Sequence, residues 1–467
     1  MKPNWMKPFD YFKGKLAHTR TKYAFIGMVS IVLSRCASLV FGFITTAIVV
    51  RYFTTEQFGL WAILTFLIGL VPVLDIGLGL ALRNKLAVFY VRDRTGGQRA
   101  AAYFSSTFIA YLALAVLLSL LLGMGRVVIP WTSLFNSRDA GLVQEGAMVY
   151  VVSFVILILA MPFTIGTVGF FSFQQTHWNS FFDWLKSALV LMFVAILVWF
   201  RAGFVLIAIS FSVAMALPLI LSFFVFLKQR RWRIHVEKIK TILSIVRELF
   251  NKSIQFGVMQ ICAAVLTSTQ ALIVARVAGL RDAGEYALVQ KLYLVINILH
   301  FAVLTPLWSA YTEAVASQDI RWVRKTLKAV VLFSVFLFTV GSSAFYVFGK
   351  TLIYFWTGRT VHNDMLYLAM GVWVFVSGIA NCFSVYLNGI GKLKLQTLWL
   401  VVAACAYVPV TLWYGHQFGA VGVCLGGALV ILPLAISNPI QAVFTLRRWA
   451  AKRGHGADGG VLETGYI

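Results

Sequence analysis

VVRYFTTEQFGLWA, residues 49–62, and VARVAGLRDAGEYA, residues 274–287, align without a gap at an offset of 225 residues. Arg51 falls on Arg276, Gly59 on Gly284 and Ala62 on Ala287. The same register sets Arg99 on Arg324 and Trp131-Thr132 on Trp356-Thr357, and it decays beyond about residue 160. A match held in one register over several separated regions marks two structurally equivalent halves rather than a chance pair.

The composition says what those halves are made of. Of 467 residues, 60% are hydrophobic and 12% charged, and the mean hydropathy is +0.85. A soluble domain carries about 25% charged residues, so a water-soluble globular enzyme is excluded. A spanning helix takes about 20 apolar residues. Apolar runs at 23–53, 57–82, 100–124, 147–171, 180–200 and 203–227 give six spans. Runs at 249–278, 284–312, 328–349, 365–388, 396–415 and 419–446 give six more. None alternates strictly as a membrane strand would. The expectation is an all-α integral membrane protein with twelve transmembrane helices in two pseudo-symmetric six-helix bundles. Its parts are a segment 1–22, an N-terminal lobe 23–227, a basic linker 228–248, a C-terminal lobe 249–446 and a tail 447–467.

The net charge is +24. Of the 40 Lys and Arg residues, 29 fall on the side bearing both termini and 8 on the other. The positive-inside rule then makes both termini cytoplasmic and accounts for the charge without a nucleic-acid partner. The basic N-terminus runs into a long apolar stretch with no small-residue cleavage site, which reads as a span rather than a removable signal. The linker KQRRWRIHVEKIKTILSIVRE interleaves apolar and basic residues, as either an amphipathic helix on anionic lipid or a solvated connection would. The five cysteines lie in apolar runs without a CxxC pair and read as small buried hydrophobes.

No phosphate loop, HExxH or clustered Cys/His set is present, so the sequence implies no cofactor, no metal and no catalytic centre. Charges within spans are costly and therefore carry a functional prior. Arg35, Lys186 and Lys291 are the in-span cations; Asp75 lies about 12 Å from the inner end of span two. His300 is the counterpart of Asp75 at the 225 offset. This cationic bias suits an anionic ligand, and arginine suits phosphate oxygens. A static Arg35–Asp75 ion pair, interfacial snorkelling of Lys186 and Lys291, and a satisfied hydrogen bond at His300 are the competing structural readings. Gly77 and Gly79, after Pro72, weaken span two and permit bending. Ser34, Ser38, Thr45 and Thr46 in span one, and the Gln and Thr residues of span seven, face other helices or a wet cavity.

DIGLGLALRNKLA (75–87), preceded by VVRYFTTEQFGLWA, resembles bacterial Wzx-type polysaccharide-repeat flippases. These form the polysaccharide-transporter branch of the MATE/MOP exporter superfamily, and EYALVQKLYLVINILHFAVLTPLW (285–308) resembles that family's second half. The resemblance implies a non-enzymatic flippase of the bacterial inner membrane. Such a protein moves undecaprenyl-diphosphate-linked oligosaccharide through a cationic cleft between two lobes, alongside membrane lipids and glycan polymerase or export proteins. It makes Arg35 and Lys291 diphosphate contacts, with Arg83, Lys85 and Lys186 as further substrate-binding cations. Asp75, His300, Gly77 and Gly79 become coupling or gating positions. A drug/cation antiporter of the same superfamily and a membrane polymerase or ligase for lipid-linked glycan are the alternatives. The first wants deep acidic residues and the second a long outer catalytic loop.

Overall fold

The computed structural model describes residues 34–75, 77–92, 97–173, 175–316, 318–392 and 394–454. The segment 1–22, the opening of span one and the end of the 447–467 tail lie outside them. All regular structure among the described residues is helical. In chain order the elements are α1 (Ser34–Tyr52) and α2 (Thr55–Leu67), a 3-10 segment (Ile68–Asp75), then α3 (Leu78–Arg92), α4 (Gly97–Val128), α5 (Trp131–Phe135) and α6 (Ala140–Ala160). After a short 3-10 turn come α7 (Ile165–Ser172), α8 (Thr176–Trp199), α9 (Phe204–Arg230), α10 (Ile239–Ser268) and α11 (Gln270–Ala278). The chain ends in α12 (Leu280–Ala316), α13 (Ile320–Thr357), α14 (Asp364–Gly389) and α15 (Lys394–Gly454).

Ten helical stretches among the described residues are long and apolar enough to cross a membrane. Two features make this consistent with twelve crossings. The second span is split, as α2, a 3-10 segment and α3. The last stretch is a hairpin: Gly419 turns the chain at φ 60°, ψ −139°. Beyond it the residues run back along those before it, since a Cβ on Gly426 would sit 3.2 Å from Thr411 Cα and one on Gly427 would sit 3.4 Å from the Tyr407 ring. Large apolar side chains are exposed along the spans, Leu120, Met124, Phe336 and Phe355 among them. In water such a surface would aggregate; in a bilayer it meets acyl chains. The chain is a multi-pass membrane protein.

The chain falls into two compact units. One comprises Met1–Tyr52, Val71–Ile129 and Glu145–Gly257; the other comprises Phe53–Leu70, Pro130–Gln144 and Val258–Ile467. The first unit is organised around stacked aromatics from α4, α7 and α9. Phe104 lies 5.2 Å from Phe226, and Phe108 lies 4.7 Å from Phe223. Leu82 and Leu86 of α3 and Leu249 of α10 join the same core. Span one is tied to α8 by hydroxyls: Ser34 donates to the Ser180 carbonyl at 2.8 Å, and the Ser38 and Ser187 hydroxyls are 2.9 Å apart.

In the second unit α2 crosses the start of α12. Thr54 caps α2 in a box with Gln57: the Gln57 N–H donates to Thr54 Oγ1 at 3.2 Å and the Thr54 N–H to Gln57 Oε1 at 3.3 Å. Arg359, between α13 and α14, donates to the Phe53 carbonyl at 2.5 Å and so holds this helix start. Partial burial draws the Arg359 pKa down from its ordinary value, opposed by Glu56. Gly59 and Gly284, equivalent at the 225 offset, both sit at the crossing. A Cβ on Gly59 would run into the Leu280 backbone, and one on Gly284 would lie 2.9 Å from Phe58 Cδ1. Small residues that let helix backbones touch are the usual contact of spans in lipid.

The cysteines need a correction. Cys262, Cys382 and Cys424 are buried, but Cys36 and Cys405 are exposed. An apolar run in a membrane protein has a lipid-facing side, so apolar context alone does not bury a thiol.

Candidate substrate site

The chain leaves the 3-10 segment at Asp75 through a side-chain turn, in which the Gly77 N–H donates to Asp75 Oδ1 at 2.7 Å. Gly77 has φ +77°, in the left-handed region that glycine enters without steric cost. Two residues on, a Cβ at Gly79 would come 2.8 Å from Asp75 Oδ2 and 3.4 Å from the Tyr111 hydroxyl. The fully buried Tyr111 of α4 therefore closes over the same carboxylate. Its hydroxyl makes no well-formed hydrogen bond there. The side chain of Pro72 lies outside the described ones. The expected weakness of span two is realised as a break: 3-10 turns, a carboxylate-stabilised turn, then a new helix.

Arg35 does not meet Asp75. It is exposed near the start of α1 and has no ion-pair partner among the described residues. Lys186 pairs with Asp183 on its own helix at 3.0 Å, so its charge is matched locally. Arg83 is exposed and its guanidinium lies 4.7 Å from the Phe171 ring centroid, an aromatic support that leaves its N–H groups available. Lys85 is committed: its Nζ lies 2.5 Å from Glu248 Oε1 on α10, and the Tyr103 hydroxyl donates to Glu248 Oε2 at 2.5 Å.

In the second unit Lys291 is half-buried on α12, one residue past an amide relay. The Gln290 amide and the Tyr286 hydroxyl both donate to Gln270 Oε1 at 2.7 Å, and Gln270 Nε2 donates to the Leu266 carbonyl at 2.8 Å. Tyr286 and Gln290 were not among the residues singled out from sequence. Their signal is faint, a Tyr and a Gln four residues apart just before Lys291. His300 is fully buried. Its Nε2 lies 2.9 Å from Ser334 Oγ on α13 and 3.4 Å from Cys382 Sγ on α14, and its ring stands edge-on to Phe338 at 4.8 Å. His300 thus sits at a three-helix junction, its Nε2 partnered by Ser334 and Cys382 and its Nδ1 buried without a hydrogen-bond partner among the described residues.

The polarity of span one is likewise spent on packing. Beyond the two serine contacts to α8, Thr45 and Thr46 donate to their own helix carbonyls at 2.8 Å. Among the described residues no cluster of three or more His, Cys, Asp or Glu is placed to hold a metal. The first unit thus carries a carboxylate turn in a broken span, an exposed arginine on α1 and a supported arginine on α3, and the second carries a half-buried lysine next in sequence to an amide relay on α12.

Comparison with known proteins gives the family and the fold. A Salmonella typhi protein named for O-antigen transport is 22% identical over 198 residues, covering 41% of this chain and 45% of that protein. The match thus spans under half the length of that relative. Among solved structures, an inward-facing multidrug resistance MATE family transporter of the MOP superfamily superposes with a TM-score of 0.70 at 12% identity, over 89% of this chain and 96% of its own. The lipid II flippase MurJ, in an inward closed conformation, superposes with a TM-score of 0.66 at 13% identity, over 93% and 95%. These likenesses establish a shared fold, that of the MATE/MOP transporters. Residues 26–311, from span one through most of α12, match the family described as "Polysaccharide biosynthesis protein", and the chain belongs to that family.

Proposed function

We propose that this protein is a flippase that carries an undecaprenyl-diphosphate-linked oligosaccharide repeat unit from the cytoplasmic to the outer leaflet of the bacterial inner membrane, for surface or exopolysaccharide assembly. Membership of the polysaccharide biosynthesis family over residues 26–311, on a MOP-type transporter fold, carries this reading. The name of the O-antigen relative and that of MurJ point the same way. The basic side of the membrane is taken as cytoplasmic, with both termini there, from the Lys/Arg asymmetry. In this reading the six-helix halves 23–227 and 249–446 act as two lobes, and transport alternates access to a substrate held by both.

Arg35 and Lys291 are assigned to the diphosphate, with Arg83 receiving the headgroup on the basic side. Lys186 and Lys85 recede to structural roles because Asp183 and Glu248 already neutralise them. The Asp75–Gly77 turn is the gating element. Glycan polymerase or export proteins are the expected partners at the far leaflet.

The test is reconstitution of the full chain with fluorescent lipid diphosphate-oligosaccharide and measurement of leaflet exchange. The native protein moves the lipid, and Arg35→Ala slows it without changing the thermal melt. Equal exchange by the variant removes Arg35 from the site. Export of a cationic dye without lipid exchange overturns the flippase reading in favour of an antiporter.

A further inference from the structure

The basic linker helix takes no part in the substrate site, yet its surface is divided in a way that a mere connection would not need. Ile242, Ile245 and Leu249 are buried, and the last two join the core formed by Leu86, Phe104, Phe173 and Phe226. This face docks α10 against the ends of α3, α4, α7 and α9. Just before it, α9 closes with Lys228 and Arg230, and Trp232 packs edge-on against Phe104 at 5.6 Å. A basic last turn followed by a half-buried Trp marks the level at which an apolar span reaches the headgroups.

Turning around the helix at 3.6 residues per turn, the next strip holds Ile239 and Leu243, 69% and 61% exposed. Beside it lies a polar strip of Lys240, Ser244, Arg247 and Asn251, which with Leu243 and Glu248 lines a groove of about 510 Å³. Glu248, the acid in that groove, is already held by Lys85 and Tyr103. Lys240 and Arg247 are exposed and have no ion-pair partner among the described residues. An exposed apolar strip bordered by unmatched cations, at headgroup height and continuous with a span that begins at Gly257, is complementary to one kind of surface.

We propose that the 239–251 segment of α10 is a docking site for anionic phospholipid headgroups, phosphatidylglycerol in class, on the membrane face that carries the basic loops. Lys240 and Arg247 take the phosphate, Ser244 and Asn251 hydrogen-bond the headgroup, and Ile239 and Leu243 enter the glycerol and upper acyl region. The site is separate from the diphosphate contacts assigned above.

The test uses the full chain in nanodiscs of phosphatidylcholine with and without phosphatidylglycerol, followed by stepwise delipidation and mass spectrometry of retained lipid. The native protein retains phosphatidylglycerol over phosphatidylcholine. K240Q/R247Q, both at exposed positions, lowers that enrichment on the order of tenfold, with the thermal melt in phosphatidylcholine unchanged. L243S lowers it less and leaves its salt sensitivity intact. Equal enrichment in native protein and double variant overturns the proposal, as does absence of any preference in the native protein. Displacement of phosphatidylglycerol by inorganic diphosphate equally well in both proteins overturns it too, since the lipid would then be held elsewhere. These readouts are independent of flipping, so failure of the flippase reading leaves them intact.

Discussion

Residues 55–92 and 280–316 begin from the same sequence register and end as different objects. Thr55 and Leu280, both first residues of their helices, are 225 positions apart, and Gly59 and Gly284 share one crossing. From there α12 runs unbroken for 37 residues, whereas its counterpart breaks into α2, a 3-10 segment and α3. The substitutions explain the divergence. In the alignment Gly77 and Gly79 fall on Ala302 and Leu304, and Asp75 on His300. Alanine and leucine favour a helix where glycine frees the chain. Asp75 accepts from the Gly77 N–H, offering the backbone an alternative to the helical ladder. His300 reaches sideways to Ser334 instead. One sequence register thus gives a continuous helix in one half, the post, and a broken span in the other, the hinge, in the terms used below.

The sharpest way to break the comparison is at the crossing itself. Gly59→Val would press a side chain into the Leu280 backbone, which cannot yield, and is expected to cost on the order of 3 kcal/mol or more. Gly284→Val meets the Phe58 ring at 2.9 Å, which can rotate, and is expected to cost about 1–3 kcal/mol. Thermal melts in detergent rank the two. Equal melts would show that the crossing does not pack as closely as described.

The next largest effect is at the paired ionisable positions. His300→Ala empties a site packed against Ser334, Cys382 and Phe338, and should destabilise by roughly 2–4 kcal/mol. Asp75→Asn keeps an oxygen to accept from Gly77, so its melt should stay near that of the native protein while leaflet exchange slows. Should Asp75→Asn unfold the protein, or His300→Ala leave the melt intact and abolish exchange, the division into hinge and post is reversed.

Much of this difference lay beyond the sequence. The repeat, the membrane class and the flexibility of DIGLGLA were legible, because periodic apolar runs and glycine spacing are local properties. The membership of α2 and α5 in the second compact unit was not, since a helix of uniformly apolar surface gives no sign of which neighbour it joins. Lys85 read as an available cation because Glu248 stands 163 residues away in a linker whose charge seemed wholly basic. Ser34 and Ser38 read equally as cavity lining or helix contacts, and only the position of α8 decides. The last two crossings, by contrast, were legible as the separate runs 396–415 and 419–446, and the chain turns between them at Gly419.

A smaller effect tests the hinge directly. Gly77→Ala forces a side chain into the left-handed region at φ +77°, at about 1–2 kcal/mol. The mirror change, Ala302→Gly in the exposed middle of α12, costs about 0.5–1 kcal/mol by loosening a helix. Their effects on exchange should diverge more than their effects on stability. Gly77→Ala changes the geometry of the turn, and Ala302→Gly only softens a post. Parallel losses of exchange in the two variants would mean that both spans bend during transport.

The smallest effect concerns the ends of the two spans. Arg83 and Lys85 leave α3 basic, whereas Trp308 and Ala310 occupy the same register in α12. Lys85 is paired with Glu248, but the two side chains are 26% and 34% exposed, so solvent screens the pair. A double-mutant cycle of Lys85→Met and Glu248→Gln should therefore return a coupling of about 1 kcal/mol or less, falling as salt is added. The Tyr103 hydroxyl bond to Glu248 makes the carboxylate variant the more costly of the two singles. A coupling of several kcal/mol would mean that the pair is shut away from water and that α3 is clamped to the linker helix. In that case the second half of the broken span would be as fixed as α12, and motion would be confined to the turn at Asp75 and Gly77.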